Sequence, residues 1–319
     1  MVPYVLSFTE SERLPRHVYV SQMVKLFRAE VCPMMFSKLL HSPNRRLALL
    51  APATCYVPDA FRHAETDHKR HDILLREMQK LRGAIYLMDG AIEPWQLTKD
   101  GCHRVVEDYD SWHLLLLGEK GQIIGCARYL HYENTVSFSE IGLDNSALGQ
   151  SQDWGHKLRA GVDAELATAR QQELAYVKVG GWALCETLRN TTEGLSIALA
   201  TWGLAQLLGG CLGIATVTKR HSSSSILRKL GGRSLEANGV ELPTYYDPEY
   251  KCEMEILRFD SRMPNPRYEE WVCQSRTGLL SIPVICGNGG TDRWNDYGAT
   301  IGIANRRNFS LQLQTQAAS

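Results

Sequence analysis

The stretch ETLRNTTEGLSIAL, residues 186 to 199, sets Arg189, Asn190, Thr191, Thr192, Glu193 and Gly194 directly before an apolar run that continues to about residue 208. With a strand ending near Cys185 and a helix starting near Thr192, the joint presents unpaired backbone N–H groups at the positive end of a helix dipole, where a phosphate binds. Small residues let the backbone come close, and Arg189 adds a guanidinium fork. The fragment reads equally as a plain strand-to-helix loop capped by Thr191 or Thr192. The elements around it decide between the two.

Upstream, ELAYVKVGGWALC is a β-rich run broken by Gly180 and Gly181, and paired glycines inside a strand mark a bulge or a close backbone approach. Downstream come a strand GIATVTK, a short helix SSSSILRKLGG, and a β pair, YYDPEY and CEMEILRF. Earlier, WHLLLLGEKGQIIGCARYLHYENTVSFSEIG reads as three short strands parted at Glu119-Lys120-Gly121 and Glu133-Asn134, followed by a polar helix at about 156 to 172. Helix formers dominate 9 to 82, where TDHKRHDILLREMQKLRG carries apolar residues at 73, 74, 78 and 81 and a glycine stop. Helices, a meander, then β-α-β-α-β-β make an α/β or α+β sheet with helices on its faces. The expected divisions are a helical extension over 1–80, a central domain over 81–260, and a C-terminal extension over 261–319 that is loose from about 287.

Thirty-five basic residues balance thirty-five acidic ones, so no global field draws the chain to nucleic acid or a membrane surface, and any anion site is local. Nine scattered cysteines, none in C-x-x-C, argue against a disulfide framework or zinc ribbon. No run reaches the ~18 apolar residues of a membrane helix, and the N-terminal MVPYVLSF is too short for a signal segment. A cytoplasmic protein is the expectation. His63, His68 and His71 with Asp67 and Asp72 alternate with lysine and arginine and read as a solvated face, so no metal is expected.

The loop resembles the pyrophosphate loop of the GNAT acyltransferases, (Q/R)-x-x-G-x-(G/A), with Arg189 and Gly194 at the outer positions and Thr192 in place of the inner glycine. Residues 80 to 260 resemble the acyl-homoserine-lactone (autoinducer) synthases and, more closely, the long-chain N-acyl amino acid synthases. LRGAIY, EDYDSW and GCAR supply counterparts of their arginine, acidic turn and G-x-(A/W)-R strand in Arg82, Asp108, Asp110, Gly125 and Arg128. The resemblance implies a GNAT-like mixed sheet whose parallel strands, here 176–184 and 213–218, splay around the phosphopantetheine of coenzyme A or an acyl-carrier protein.

It further implies that Trp182, Ala183 and Leu184 offer a backbone N–H to an oxyanion, that residues 189 to 194 with Ser222 and Ser225 hold the cofactor end, and that Arg82, Asp108, Asp110 and Arg128 meet the acceptor. The family's strand acid falls near Lys178, and a lysine accepts a proton only with a large pKa shift. Glu186 and Glu140 are therefore the candidate bases, each also readable as an exposed carboxylate. The helix over 195 to 208 is more simply core than an acyl tunnel. The implied activity is transfer of a fatty acyl group from a carrier-protein or coenzyme A thioester to the amine of an amino acid. Acyl-homoserine-lactone synthesis, short-chain acetyl transfer and non-catalytic thioester sensing are the alternatives.

Overall fold

The computed structural model describes residues 45–53, 57–189, 191–220 and 223–287. In chain order the elements are β1 (Arg45–Leu50), β2 (Ala64–Thr66), α1 (His68–Met88), β3 (Ser111–Gly118), β4 (Ile123–Tyr132), α2 (Phe138–Ile141), α3 (Gly155–Gln171), β5 (Ala175–Leu184) and α4 (Glu193–Leu207). Then come β6 (Cys211–Thr218), α5 (Ser223–Leu230), β7 (Arg233–Ser234), β8 (Glu236–Ala237), β9 (Val240–Glu241), β10 (Tyr245–Asp247), β11 (Cys252–Asp260), α6 (Glu269–Leu279) and β12 (Val284–Cys286). One ten-stranded sheet runs β10-β11-β6-β5-β4-β3-β1-β12-β2, with β7 beside β11. Among the described residues, parallel pairing is confined to β5–β6, β1–β12 and β12–β2. The fold class is as expected, a mixed sheet with splayed central parallel strands and helices on its faces.

The splay follows from register. β5 and β6 pair only from Ala175↔Cys211 to Val179↔Ala215, although β5 continues to Leu184 and β6 to Thr218. On the other edge of β5, Arg128 opposes Gly180 while Cys126 opposes Ala183, so two residues of β5 face Ala127 alone. This is a bulge, with Gly181 in the left-handed region at φ 61°. A bulge bends its strand, and here it turns the last part of β5 away from β6. The alternation of side chains shifts with it. Val177 and Val179 before the bulge and Trp182 and Leu184 after it lie in the core under α4, whereas Ala183 joins the core under α1.

Several expectations give way to packing. The stretch 45–50, inside the expected helical extension, is strand β1, joined to β3 over all six residues, because RRLALL supplies four consecutive buried apolar side chains. Residues 1–44 lie outside the described ones. Gly83 does not stop its helix; α1 runs on to Met88, and the glycine serves close approach, since a Cβ there would lie 2.7 Å from the Gly101 carbonyl oxygen. The third meander strand, VSFSEIG, is instead the single turn α2, held by a capping box between Ser137 and Glu140. Beyond Asp260 the chain still contributes α6, which packs on α4, and β12, which enters the sheet; residues from 288 lie outside the described ones.

A side chain at Gly181 carries the left-handed backbone penalty and places a Cβ 3.0 Å from that of Arg128. Gly181→Val is expected to lower unfolding stability by roughly 2–3 kcal/mol. Gly180→Ala, whose Cβ meets nothing nearer than 3.9 Å, should cost under about 1 kcal/mol in the same urea titration. Equal midpoints for the two variants would contradict the bulge as the origin of the splay.

Candidate active site

The gap between β5 and β6 opens into a cleft of about 1820 Å³ that is lined by residues on both faces of the sheet. On the α4 face its walls are apolar. Trp182 and Leu184 of β5, Ile197, Ala198 and Trp202 of α4, and Phe259 of β11 line it. The helix expected to be core is core and cleft wall at once: Ile197 and Trp202 are buried within the main cluster and border the cavity.

The N–H of Cys185 donates to the Ile124 carbonyl, 2.9 Å away on β4. In an antiparallel pair successive residues point their N–H groups to opposite edges. The Leu184 N–H therefore faces the open side, where β6 has departed. This is an amide donor aimed at the cleft, with no strand among the described residues to pair it.

The loop after β5 makes a 3-10 turn, Glu186–Leu188, and reaches α4 through Thr191 and Thr192. Thr191 Oγ1 donates to the Leu188 carbonyl at 2.5 Å, and the Thr192 side chain makes no cap bond. The first-turn amides of α4 have no acceptor within the helix. Arg189, Thr191, Thr192 and Gly194 all border the cleft. Arg189 Nη2 donates to Asp89 Oδ1 at 2.7 Å, and Arg220, following β6, donates to the Asp89 carbonyl. Asp89, the C-cap of α1, thus ties together the loops after β5 and β6. Glu193 turns the other way and pairs with Arg45, so it does not join the cleft-lining residues expected of it. Ser225 lines the cleft; Ser222 and Asn190 lie outside the described residues.

Across the sheet the chemistry is polar. Arg82 on α1 forms a two-pronged pair with Asp108, at 2.8 and 2.6 Å, and donates to the His103 carbonyl at 2.5 Å. Gln79 Nε2 adds a bond to Asp108 at 3.0 Å. Both charges are fully buried behind the cleft wall, so they set the wall's position rather than meet a ligand; Asp110 is exposed and also away from the cleft. Burial alone would raise the Asp108 carboxyl, but the Arg82 guanidinium overrides it and holds the group well below the usual carboxylate range. Arg128 does border the cleft, and beside it stand Glu107 and Lys178, with Glu107 Oε2 3.5 Å from Arg128 Nη1 and Oε1 3.9 Å from Lys178 Nζ.

Neither candidate base reaches this place. Glu186 is exposed on its 3-10 turn, and Glu140 is exposed and spent in the α2 capping box, accepting from the Ser137 N–H at 2.8 Å and hydroxyl at 2.6 Å. Those bonds lower its pKa. A carboxylate fixed in this way caps a helix and is outside the cleft. Sequence reasoning missed Glu107, although it adjoins Asp108 in the acidic turn, and it missed Asp89 and Arg220, whose meeting requires the fold. Among the described residues no group of three or more His, Cys, Asp or Glu side chains could hold a metal.

No protein-family model matches the sequence, and no curated protein matches it. Solved structures do. The chain is similar to BjaI, a CoA-dependent acyl-homoserine lactone synthase with SAM and isopentyl-CoA, at 13% identity and TM-score 0.46 over 76% of this chain and 93% of that one. It is similar to FeeM, an N-acyl amino acid synthase from uncultured soil microbes, at 11% identity and TM-score 0.39 over 68% and 92%. The acyl-homoserine lactone synthase LasI matches at 16% identity and TM-score 0.40 over 60% and 84%.

Removing one partner of the Arg82–Asp108 pair strands a buried charge. Asp108→Ala is expected to cost about 3–5 kcal/mol in urea unfolding, and a loss below about 1 kcal/mol would contradict the pair's role in holding the wall. Burial also lowers His103 and His113 to about 4 from an ordinary 6.5. Between those values the unfolded chain binds protons that the native chain does not, so stability falls as pH drops from 6.5 to 4. His113→Gln, keeping a donor for the Asp108 carbonyl, should flatten that fall in a pH series of melting temperatures.

Proposed function

We propose that this protein is a cytoplasmic N-acyltransferase that moves a fatty acyl group from a coenzyme A or acyl-carrier-protein thioester to the amine of an amino acid. The observation that carries the proposal is the Leu184 N–H left open at the splay, between an apolar chamber on one face and a charged chamber on the other. A thioester carbonyl laid beside that N–H gains a donor where oxyanion charge develops. The acyl chain then runs along Ile197, Ala198 and Trp202, and the phosphate end of the donor lies at the α4 N-terminus near Arg189 and Arg220.

The acceptor enters from the Arg128 side. Its ammonium loses one proton to solvent, and the freed lone pair forms the C–N bond. The C–S bond then breaks, and a second proton from the nitrogen goes to the thiolate. Thiolate leaves without a strong acid, its conjugate thiol having a pKa near ~8.5. That suits a cleft to which α5 brings serines rather than a tyrosine.

A second reading has its own support. Glu186 and Glu140 stand outside the cleft, which favours a protein that binds an acyl thioester and reports on it. Turnover separates the two. Organic extracts of bacteria expressing the chain should contain new N-acyl amino acids by mass spectrometry, and the Glu186→Gln and Glu140→Gln variants should make them undiminished. Extracts without new acyl amides, together with tight thioester binding by the purified protein, would favour the sensor. Arg189→Ala should weaken binding of the thioester donor by about tenfold, the worth of one charge-assisted hydrogen bond. Unchanged donor affinity would count against the phosphate loop.

A further inference from the structure

Three charged side chains meet on the acceptor side of the cleft, and their bonds are unequal. Arg128 is about nine-tenths buried, yet its carboxylate contacts are long, 3.5 Å to Glu107 and 3.8 Å to Asp108, and its Nε has no partner among the described residues. Asp108 is already committed to Arg82 through two short bonds. A buried guanidinium ordinarily satisfies its donors with a carboxylate or carbonyls at closer range. Beside it, Gly180 carries no side chain, which leaves the Nη2 edge of the fork open to the cleft.

Lys178 supplies a second cation. Its Nζ donates to the Ile141 carbonyl at 2.8 Å and stands 3.9 Å from Glu107, with 18% of its side chain exposed. Burial lowers its pKa, the Arg128 charge adds to that, and Glu107 opposes both. Of the other acids that border the cleft, Asp247 is buried and occupied by the backbone N–H groups of Glu249 and Tyr250 at 2.9 and 3.1 Å, Asp89 accepts from Arg189 at 2.7 Å, and Glu249, exposed, accepts from Gln96 at 3.2 Å. Two cations therefore share one uncommitted carboxylate. A ligand carboxylate satisfies the excess, and an additional ligand cation worsens it.

We propose that Arg128 and Lys178 hold the carboxylate of an α-amino acid while Glu107 receives its ammonium, so that the acceptor carries no second positive charge. Acylation of the bound amino acid rests on the acyl-transfer reading; the binding itself does not. The arrangement selects amino acids with uncharged or acidic side chains. It rejects lysine, arginine and any sulfonium such as S-adenosylmethionine, whose extra charge would approach Lys178 or Arg128 in a medium of low dielectric.

The test is equilibrium binding to the purified full chain, read by tryptophan fluorescence since Trp182 borders the cleft, with the twenty amino acids, the amides of the neutral ones, and S-adenosylmethionine. The expected result is at least one neutral or acidic amino acid bound tenfold or more tightly than its amide, than lysine and arginine, and than S-adenosylmethionine. Equal binding of acid and amide, tightest binding of a cationic ligand, or no amino-acid binding at all overturns the proposal. Lys178→Glu should weaken the preferred amino acid at least tenfold and narrow the gap to lysine, while Lys178→Met, which keeps the stem, should do the first without favouring lysine. Because no acyl donor is present, amino-acid selection without later transfer would remove the enzyme reading and leave this one standing.

Discussion

The single constraint on which the site depends is the place where β5 stops pairing with β6. Five residue pairs hold the two parallel strands together and then the ladder ends, although both strands continue. A backbone amide buried without a partner is costly, so a fold keeps such a gap only where something else satisfies it. The bulge at Gly181 supplies the bend, and the Arg82–Asp108 pair beneath it fixes the bend from behind, with Arg82 Nη1 3.5 Å from where a Cβ on Gly181 would stand. These two buried charges thus act on the cleft through backbone geometry.

The two faces of the sheet then acquire different chemistry from one strand. Before the bulge, Lys178 points to the face shared with Arg128; after it, Trp182 and Leu184 point to the face covered by α4. A regular strand would keep 178, 180, 182 and 184 on one face. The one-residue shift is what allows a polar chamber and an apolar chamber to meet across a gap one strand wide. Asp89 links the ends of this arrangement, since α1 carries Arg82 in its middle and the Arg189–Arg220 tie at its C-terminus.

Much of this was legible in residues close together in the chain. The paired glycines announced the bulge, and the run from Arg189 to Gly194 announced a strand-loop-helix joint, because both are local backbone features with distinct residue demands. Arg82, Asp108 and Arg128 were legible as a set, yet the structure divides them: two are mutually neutralised behind the wall and one reaches the cleft. Partnering of charges is a tertiary matter, and spacing alone does not reveal it. Glu140 shows the reverse error. Its place in VSFSEIG reads as a strand end, but Ser137 and Glu140 three residues apart form a helix cap, and that local bond removes the carboxylate from any wider role. Strand β1 was hidden among helix formers because β-sheet membership depends on partners at 111–118 and 284–286.

The open amide at Leu184 is proposed to serve a reaction between two bound substrates. The most direct measurement tracks thiol release and amide formation together when the purified protein is given a long-chain acyl-coenzyme A and a mixture of amino acids. The expected result is that thiol and N-acyl amino acid appear in equal amounts and that thiol release depends on the amino acid. Thiol release that is the same without any amine, or donor binding with no thiol released, would contradict the claim.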